Sequence, residues 1–324
     1  MKKTTRRDFL ALGGAIIMDA ALPSATPAAI TNGAQATKIS TDGKKPIRRI
    51  EIGLGGGCIY CLSNRSHSQM FGAVIVSPTG RIAVVDGGCF ADGENLGRIL
   101  TSLGSHIDYW FLTHAHSDHY GALAAILEKQ SPAISIGSLC MNFPDNDWLD
   151  KIEPEESAVN RRFRFAAALV RHHGLVCTKL GKGQTFDLCC NWKISVLNDL
   201  NIDLKHPNVN DTGICFSLQT GNYSWLATGD IGVATGRKLV DELGERLQHE
   251  YVFMSHHGQN GADKSFYAAV KPHAAIWPTP DWLWENNAGE GPGSGPYNTN
   301  YTKCWMQELG VKRNYVLTED ILFV

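Results

Sequence analysis

The sequence predicts an α/β protein in which sheets are covered by helices. Short runs rich in Ile and Val alternate along the chain with longer stretches of helical periodicity. A hydrophobic content of 43% against 19% charged residues supplies the apolar side chains for a substantial core. Beyond the N-terminal stretch, no apolar run reaches the ~20 residues needed to cross a bilayer. The mature chain is therefore expected to carry no membrane span.

The chain opens with charged Lys2, Lys3, Arg6 and Arg7, continues through the apolar run Phe9 to Met18, and reaches a stretch rich in Ala, Ser and Pro from Ala20 to Ala29. That is the order of a cleavable signal, which sets residues 1–30 apart from the folded protein. Residues 31–46 are small and polar without periodicity, as suits a linker. A single domain is expected over residues 47–324.

Its first strands are Arg49 to Leu54, Gly72 to Ser77 and Arg81 to Val85, and Pro78-Thr79-Gly80 joins the last two as a hairpin. A helix from Asp92 to Leu103, an apolar strand from Ile107 to Thr113 and a helix from His119 to Lys129 follow. Strands at Ala133 to Ile136, Trp192 to Leu197, Gly213 to Gln219, Tyr223 to Thr228, Tyr251 to Met254 and Ala274 to Trp277 then interleave with helices at Glu155 to His173, Ala234 to Leu247 and Lys264 to Val270. Strand-like sequence resumes at Asn314 to Leu317 and Ile321 to Val324, so the Gly- and Pro-rich stretch from Gly289 to Pro296 is a loop within the domain.

The chemistry concentrates in His114-Ala115-His116-Ser117-Asp118-His119, where the apolar strand gives way to a helix. Alternation across a strand end turns His114 and His116 the same way, and the turn into the helix brings Asp118 and His119 round to a neighbouring point. Two divalent cation positions result. Neutral imidazole with carboxylate suits zinc, with manganese or iron suited where oxygen donors are more numerous.

The pattern H-x-H-x-D-H after an apolar strand resembles the metallo-β-lactamase superfamily, which implies a four-layer αββα sandwich with its ligands at one edge of two facing sheets. Val84-Val85-Asp86-Gly87-Gly88 resembles the buried aspartate turn of that superfamily, Ala227-Thr228-Gly229-Asp230 its bridging aspartate, and Ser255-His256-His257-Gly258 its final histidine loop. With Asn208 to Gly213 added, the combination is similar to the branch holding the hydrolase domain of competence DNA-uptake proteins and the phosphorylcholine esterases. The resemblance implies His114, His116 and Asp230 at one cation, and Asp118, His119, Asp230 and His256 at the other. Asp118 and His257 then serve catalysis, although either of the adjacent imidazoles suits the ligand position. Many branches carry a ligating histidine near the position of Asn210, and this chain has none there, although His206 is close; the first site is then a ligand short, filled by water, Asn210 or a substrate oxygen, or binding its cation weakly.

Two cations a few ångströms apart acidify a shared water and hold the oxygens of the group under attack. A metal-dependent hydrolase is therefore the leading expectation, and the branch resemblance points to a phosphodiester or phosphomonoester substrate. Hydrolysis of a lactone or β-lactam, and ligand binding without catalysis, are the competing expectations. A formal charge of -2, from 30 basic and 32 acidic residues, gives no overall field that would draw nucleic acid. The segment Thr5 to Leu10 resembles the twin-arginine export signal, which implies the twin-arginine translocase as a partner and a periplasmic or extracellular destination.

Weaker signals have bland readings. Gly55 to Gly57 suits a tight turn, Arg161, Arg162, Arg164 and Arg171 a solvated helix face, and His172 and His173 a helix terminus. Trp277, Trp282 and Trp284 fit either packing anchors or an aromatic wall beside the metal edge. Nine cysteines are an odd count, and Cys58 and Cys61 are expected as buried thiols or a local disulfide.

Overall fold

The computed structural model describes residues 37–39, 47–129, 134–172 and 174–324. The signal and most of the linker lie outside the described residues, as do Ala133 and His173.

The first eight strands in chain order belong to one sheet: β1 (Thr37–Ile39), β2 (Ile47–Ile50), β3 (Cys58–Cys61), β4 (Gly72–Val76), β5 (Ile82–Asp86), β6 (His106–Phe111), β7 (Ser135–Met141) and β8 (Cys177–Lys179). The next seven form a second sheet: β9 (Thr185–Cys189), β10 (Trp192–Val196), β11 (Phe216–Thr220), β12 (Tyr223–Ala227), β13 (Tyr251–Phe253), β14 (Ala274–Trp277) and β15 (Arg313–Val316). The last strand, β16 (Asp320–Phe323), returns to the first sheet and lies between β2 and β3. It runs parallel to β2 and antiparallel to β3.

Connections explain the pairing directions. The turn between β4 and β5 closes with Ser77 N–H donating to the Arg81 carbonyl at 2.9 Å, and Gly80 takes the positive φ of 82° that the turn requires. Parallel neighbours need longer crossovers, and helices supply them. Helix α1 (Gly93–Ser102) joins β5 to β6, α2 (Ser117–Glu128) joins β6 to β7, and α3 (Asn146–Ile152) with α4 (Glu156–Arg171) joins β7 to β8. In the second sheet α5 (Val233–Leu243), α6 (Lys264–Val270), and α7 (Asp281–Trp284) with α8 (Thr299–Glu308) do the same for β12 to β15.

Three buried clusters separate four layers. Phe71, Phe111, Phe216, Trp225, Phe253 and Phe323 fill the space between the sheets. Leu96, Leu100, Trp110, Leu123 and Phe165 seat α1, α2 and α4 on the outer face of the first sheet. Leu239, Phe266, Val252, Ala275 and Met306 seat α5, α6 and α8 on the second. The architecture is the αββα sandwich, the metallo-β-lactamase fold.

Several boundaries differ from expectation, each for a local reason. The helix expected through Leu247 stops at Leu243, because Gly244 turns the backbone to a φ of 53°. The first domain strand ends at Ile50 and not Leu54, as Gly53, Gly55 and Gly56 all take positive φ. The strand expected to end at Ile136 continues to Met141 beside β6. All nine thiols are free. Cys58 and Cys61 stand three residues apart on β3, so their side chains leave opposite faces and no local disulfide forms.

One geometric result bears directly on the site. Asp86 ends β5, His114 follows β6, Asp230 follows β12 and the two histidines at 256 and 257 follow β13. Each pair of strands is parallel, so all four chain segments emerge at one end of the sandwich.

Candidate metal centre

His116 caps α2 in extended conformation, and Asp118 and His119 occupy the first helical turn. The helix start thus bends the motif through a corner, which gathers its four polar side chains. His114 and His119 are buried, at 1% and 0% exposure. Asp230 joins them from the second sheet, with Oδ1 3.2 Å from His119 Nε2 and Oδ2 3.9 Å from His114 Nε2. His257 Nε2 lies 3.3 Å from both Asp118 Oδ2 and Asp230 Oδ2.

Two ligand groups result: Asp118, His119, Asp230 and His257 in one, and His114, His116 and Asp230 in the other. Asp230 belongs to both. Sequence reasoning placed His256 among the ligands and His257 in catalysis, with either imidazole suited to the ligand position; of the two, His257 stands in a ligand group. The loop carries both residues in left-handed backbone, with φ of 47° and 56°, so neighbouring side chains do not simply alternate. His257 turns inward at 0% exposure, whereas the His256 side chain stays 19% exposed with Nε2 3.9 Å from Asp230 Oδ2.

Hydrogen bonds behind each imidazole set which nitrogen faces the centre. His119 Nδ1 donates to Asp86 Oδ2 at 2.7 Å, leaving Nε2 as the free acceptor. His257 Nδ1 donates to the Pro278 carbonyl at 3.1 Å, again freeing Nε2. His116 Nε2 donates to Glu153 Oε1 at 2.6 Å, so its Nδ1 turns toward His114 Nε2, 3.0 Å away. Nε2 of both His119 and His257 is buried without a hydrogen-bond partner among the described residues. Inward-facing lone pairs from imidazoles set against two carboxylates are what divalent cations require, so the donor set fits a pair of them.

Asp86 organises the centre from below. Its fully buried carboxylate accepts from Thr113 N–H and from Thr113 Oγ1, each at 2.8 Å, besides His119. Gly229 explains the Thr-Gly-Asp sequence: its φ is 54°, and a Cβ there would stand 2.9 Å from Thr113 Cβ. Gly229→Ala is expected to displace Thr113 and Asp230 together and to cost about 1–3 kcal/mol, read from the urea midpoint of the metal-free protein.

Electrostatics follow from burial opposed by neighbours. Burial pushes His114 well below its ordinary value, and the adjacent His119 and His116 add to that. Burial opposes charge on His119 as well, but the Asp230 and Asp86 carboxylates outweigh it and hold the imidazole well above the usual range. Burial likewise works against His257, and Asp230 with Asp118 overrides it, pushing the group up to about 9. Cations must displace that proton. Affinity is therefore expected to weaken roughly tenfold per pH unit below 9 for each proton displaced, checked by cation titration between pH 6 and 9.

Sequence reasoning missed Glu153, which stands 37 positions from His116 in a segment without a motif. Arg162 holds it: Nη1 donates to Glu153 Oε2 at 3.4 Å and Nη2 to Asp150 Oδ1 at 2.6 Å. Arg162 is thus buried at 8% exposure, a correction to the solvated helix face expected for the arginines of α4. Glu153→Gln is expected to lower cation affinity by roughly 10–100-fold, measured by competition with a chromophoric chelator. The tryptophans divide: Trp277 is buried against Trp284, while Trp282 packs on Tyr297 and donates to the His67 carbonyl at 3.1 Å.

Among solved structures, the chain is similar to CmlA, a diiron beta-hydroxylase from Streptomyces venezuelae, at 14% identity and a TM-score of 0.48. That match covers 82% of this chain and 53% of the hydroxylase, so the chain spans about half the hydroxylase's length. It is also similar to the metallo-beta-lactamase fold protein YhfI from Bacillus subtilis, at 10% identity, a TM-score of 0.49 and coverage of 82% and 99%. A diphosphatase of the PhnP family matches at 13% identity and a TM-score of 0.40, covering 68% of this chain and 85% of that one. Comparison with curated proteins finds no match. Residues 73–184, which contain the whole H-x-H-x-D-H motif and its Asp86 support, match the family model described as the metallo-beta-lactamase superfamily.

Proposed function

We propose that this protein is an exported, binuclear metal-dependent hydrolase of phosphoesters, with phosphodiesters as the leading class. The observation that carries the reading is the shared carboxylate: Asp230 stands within both ligand groups, so one side chain can hold two cations side by side. Zinc suits the imidazole-rich set, with manganese or iron the alternatives. Such a pair, when bound, acidifies water and offsets the charge that builds on phosphoryl oxygens.

The chain's own residues supply the rest. His114, His116, Asp118, His119, Asp230 and His257 position the cations. Asp118 lies at the mouth with 17% side-chain exposure, where its carboxylate can orient the attacking water by a hydrogen bond. His256 is the half-buried imidazole beside the centre, and burial holds its pKa below the ordinary value, which favours the neutral ring. It donates a hydrogen bond to the phosphoryl group or to the departing oxygen. Water adds to phosphorus, the bond to the leaving oxygen breaks, and the proton balance closes on that oxygen.

The twin-arginine-like segment Thr5 to Leu10 supports export through that translocase. Changing Arg6 and Arg7 to lysine is the test of that part, and secretion at the original level would refute it. For the activity, protein of known cation content is assayed on an aryl phosphodiester, an aryl phosphomonoester, a β-lactam and a lactone. Turnover of a phosphoester in proportion to bound cation supports the reading. Turnover of the lactam or lactone alone overturns it, and bound cations without turnover of any substrate points to a binding protein.

A further inference from the structure

We propose that Asn210 completes the first cation site through its side-chain carbonyl oxygen, and that this donor shifts the site toward cations that favour oxygen, Mn²⁺ ahead of Zn²⁺ relative to an all-imidazole site. The inference rests on the two-cation reading of the centre. His114, His116 and Asp230 offer three donors, one fewer than a closed tetrahedral site takes.

The turn holding Asn210 is tied to the ligand loops on three sides. Val209 shares a small buried cluster with Leu149 and Ala115, the residue between the two histidines of the first site. Asp211 Oδ1 accepts from Gly232 N–H at 2.9 Å, two residues past Asp230. Ile214 N–H donates to the Thr113 carbonyl at 2.9 Å, one residue before His114. Within the turn, Gly213 N–H donates to the Asn210 carbonyl at 3.0 Å, which fixes the backbone at that position.

Asn210 Oδ1 is nonetheless buried with no hydrogen-bond partner among the described residues. Burying an amide oxygen without a donor costs about 1–3 kcal/mol, so its persistence there calls for a compensating positive group. Among the described residues no side chain donates to it, and the ties above hold its turn against the loops that carry His114, His116 and Asp230. Amide oxygen is a harder donor than imidazole nitrogen, and exchanging one for the other moves preference along the series from Zn²⁺ toward Mn²⁺.

The test uses the full chain stripped of metal, dialysed against Mn²⁺ or Zn²⁺ and counted by elemental analysis. Wild type is expected to bind two Mn²⁺. Asn210→Ala should weaken one of the two by about tenfold or more and leave the other unchanged. Asn210→His should move that same site toward Zn²⁺ by about tenfold. Asn210→Asp, of the same shape with a full charge, should tighten it, and it decides the matter should the alanine variant fail to fold. With Co²⁺ as probe, the visible absorption of one site should change in Asn210→Ala. Two Mn²⁺ held at wild-type affinity by Asn210→Ala, or unaltered binding by Asn210→Asp, would overturn the Asn210 assignment alone. A wild-type protein that binds neither cation would overturn the two-cation reading beneath it.

Discussion

Asp230→Asn is expected to reduce phosphodiester turnover by about a thousandfold. The substitution keeps the shape and removes the charge from the one side chain that both ligand groups share. Bound cations contribute several kcal/mol of transition-state charge stabilisation, and a loss of ~4 kcal/mol corresponds to ~10³ in rate. Cation counting separates this from misfolding. The variant should bind fewer than two equivalents with an unchanged far-UV spectrum, and full turnover with one cation would show that the bridge is dispensable.

Asp86→Ala is expected to damage both the fold and the centre. Its carboxylate accepts from Thr113 N–H, Thr113 Oγ1 and His119 Nδ1 in a site with no exposure, so removal strands three buried donors at once. Leaving a buried donor without a partner costs about 1–3 kcal/mol each, so a loss of several kcal/mol is expected. Cation affinity should fall by a further 10–100-fold, because the ring of His119 loses the bond that orients it. Urea unfolding of the metal-free protein reads the first effect and chelator competition the second. A variant with native stability would show that Thr113 and His119 find other partners.

The ligands were legible because local rules gather them. The H-x-H-x-D-H motif straddles a strand end and a helix start, and both periods are readable from sequence. Asp230 and the adjacent histidines stood out by resemblance, since nothing local brings β12 and β13 to β6. Choosing between His256 and His257 required backbone geometry: left-handed φ at two consecutive non-glycine residues is not encoded in any periodicity. Glu153 was invisible for a different reason. It reaches His116 through a loop and a short helix, and its contacts with Arg162 hold it there. The fold was legible in its central strands, where burial is continuous, as in β5. Short pieces such as α3, α7 and β8 escaped because three to seven residues carry too little pattern.

The placement of β16 has a kinetic corollary. Ser63 and Arg65, just past β3, bond to Asp320 at the start of β16, and Ser63 and Asp320 are 257 positions apart. The sheet that holds Asp86 and the paired imidazoles is thus finished by a segment joined to it across nearly the whole polypeptide. Contacts of such range form slowly, since the loop they close is long. Closure of this seam should then be a late event in refolding, after the local hairpins and helices of the same sheet have formed.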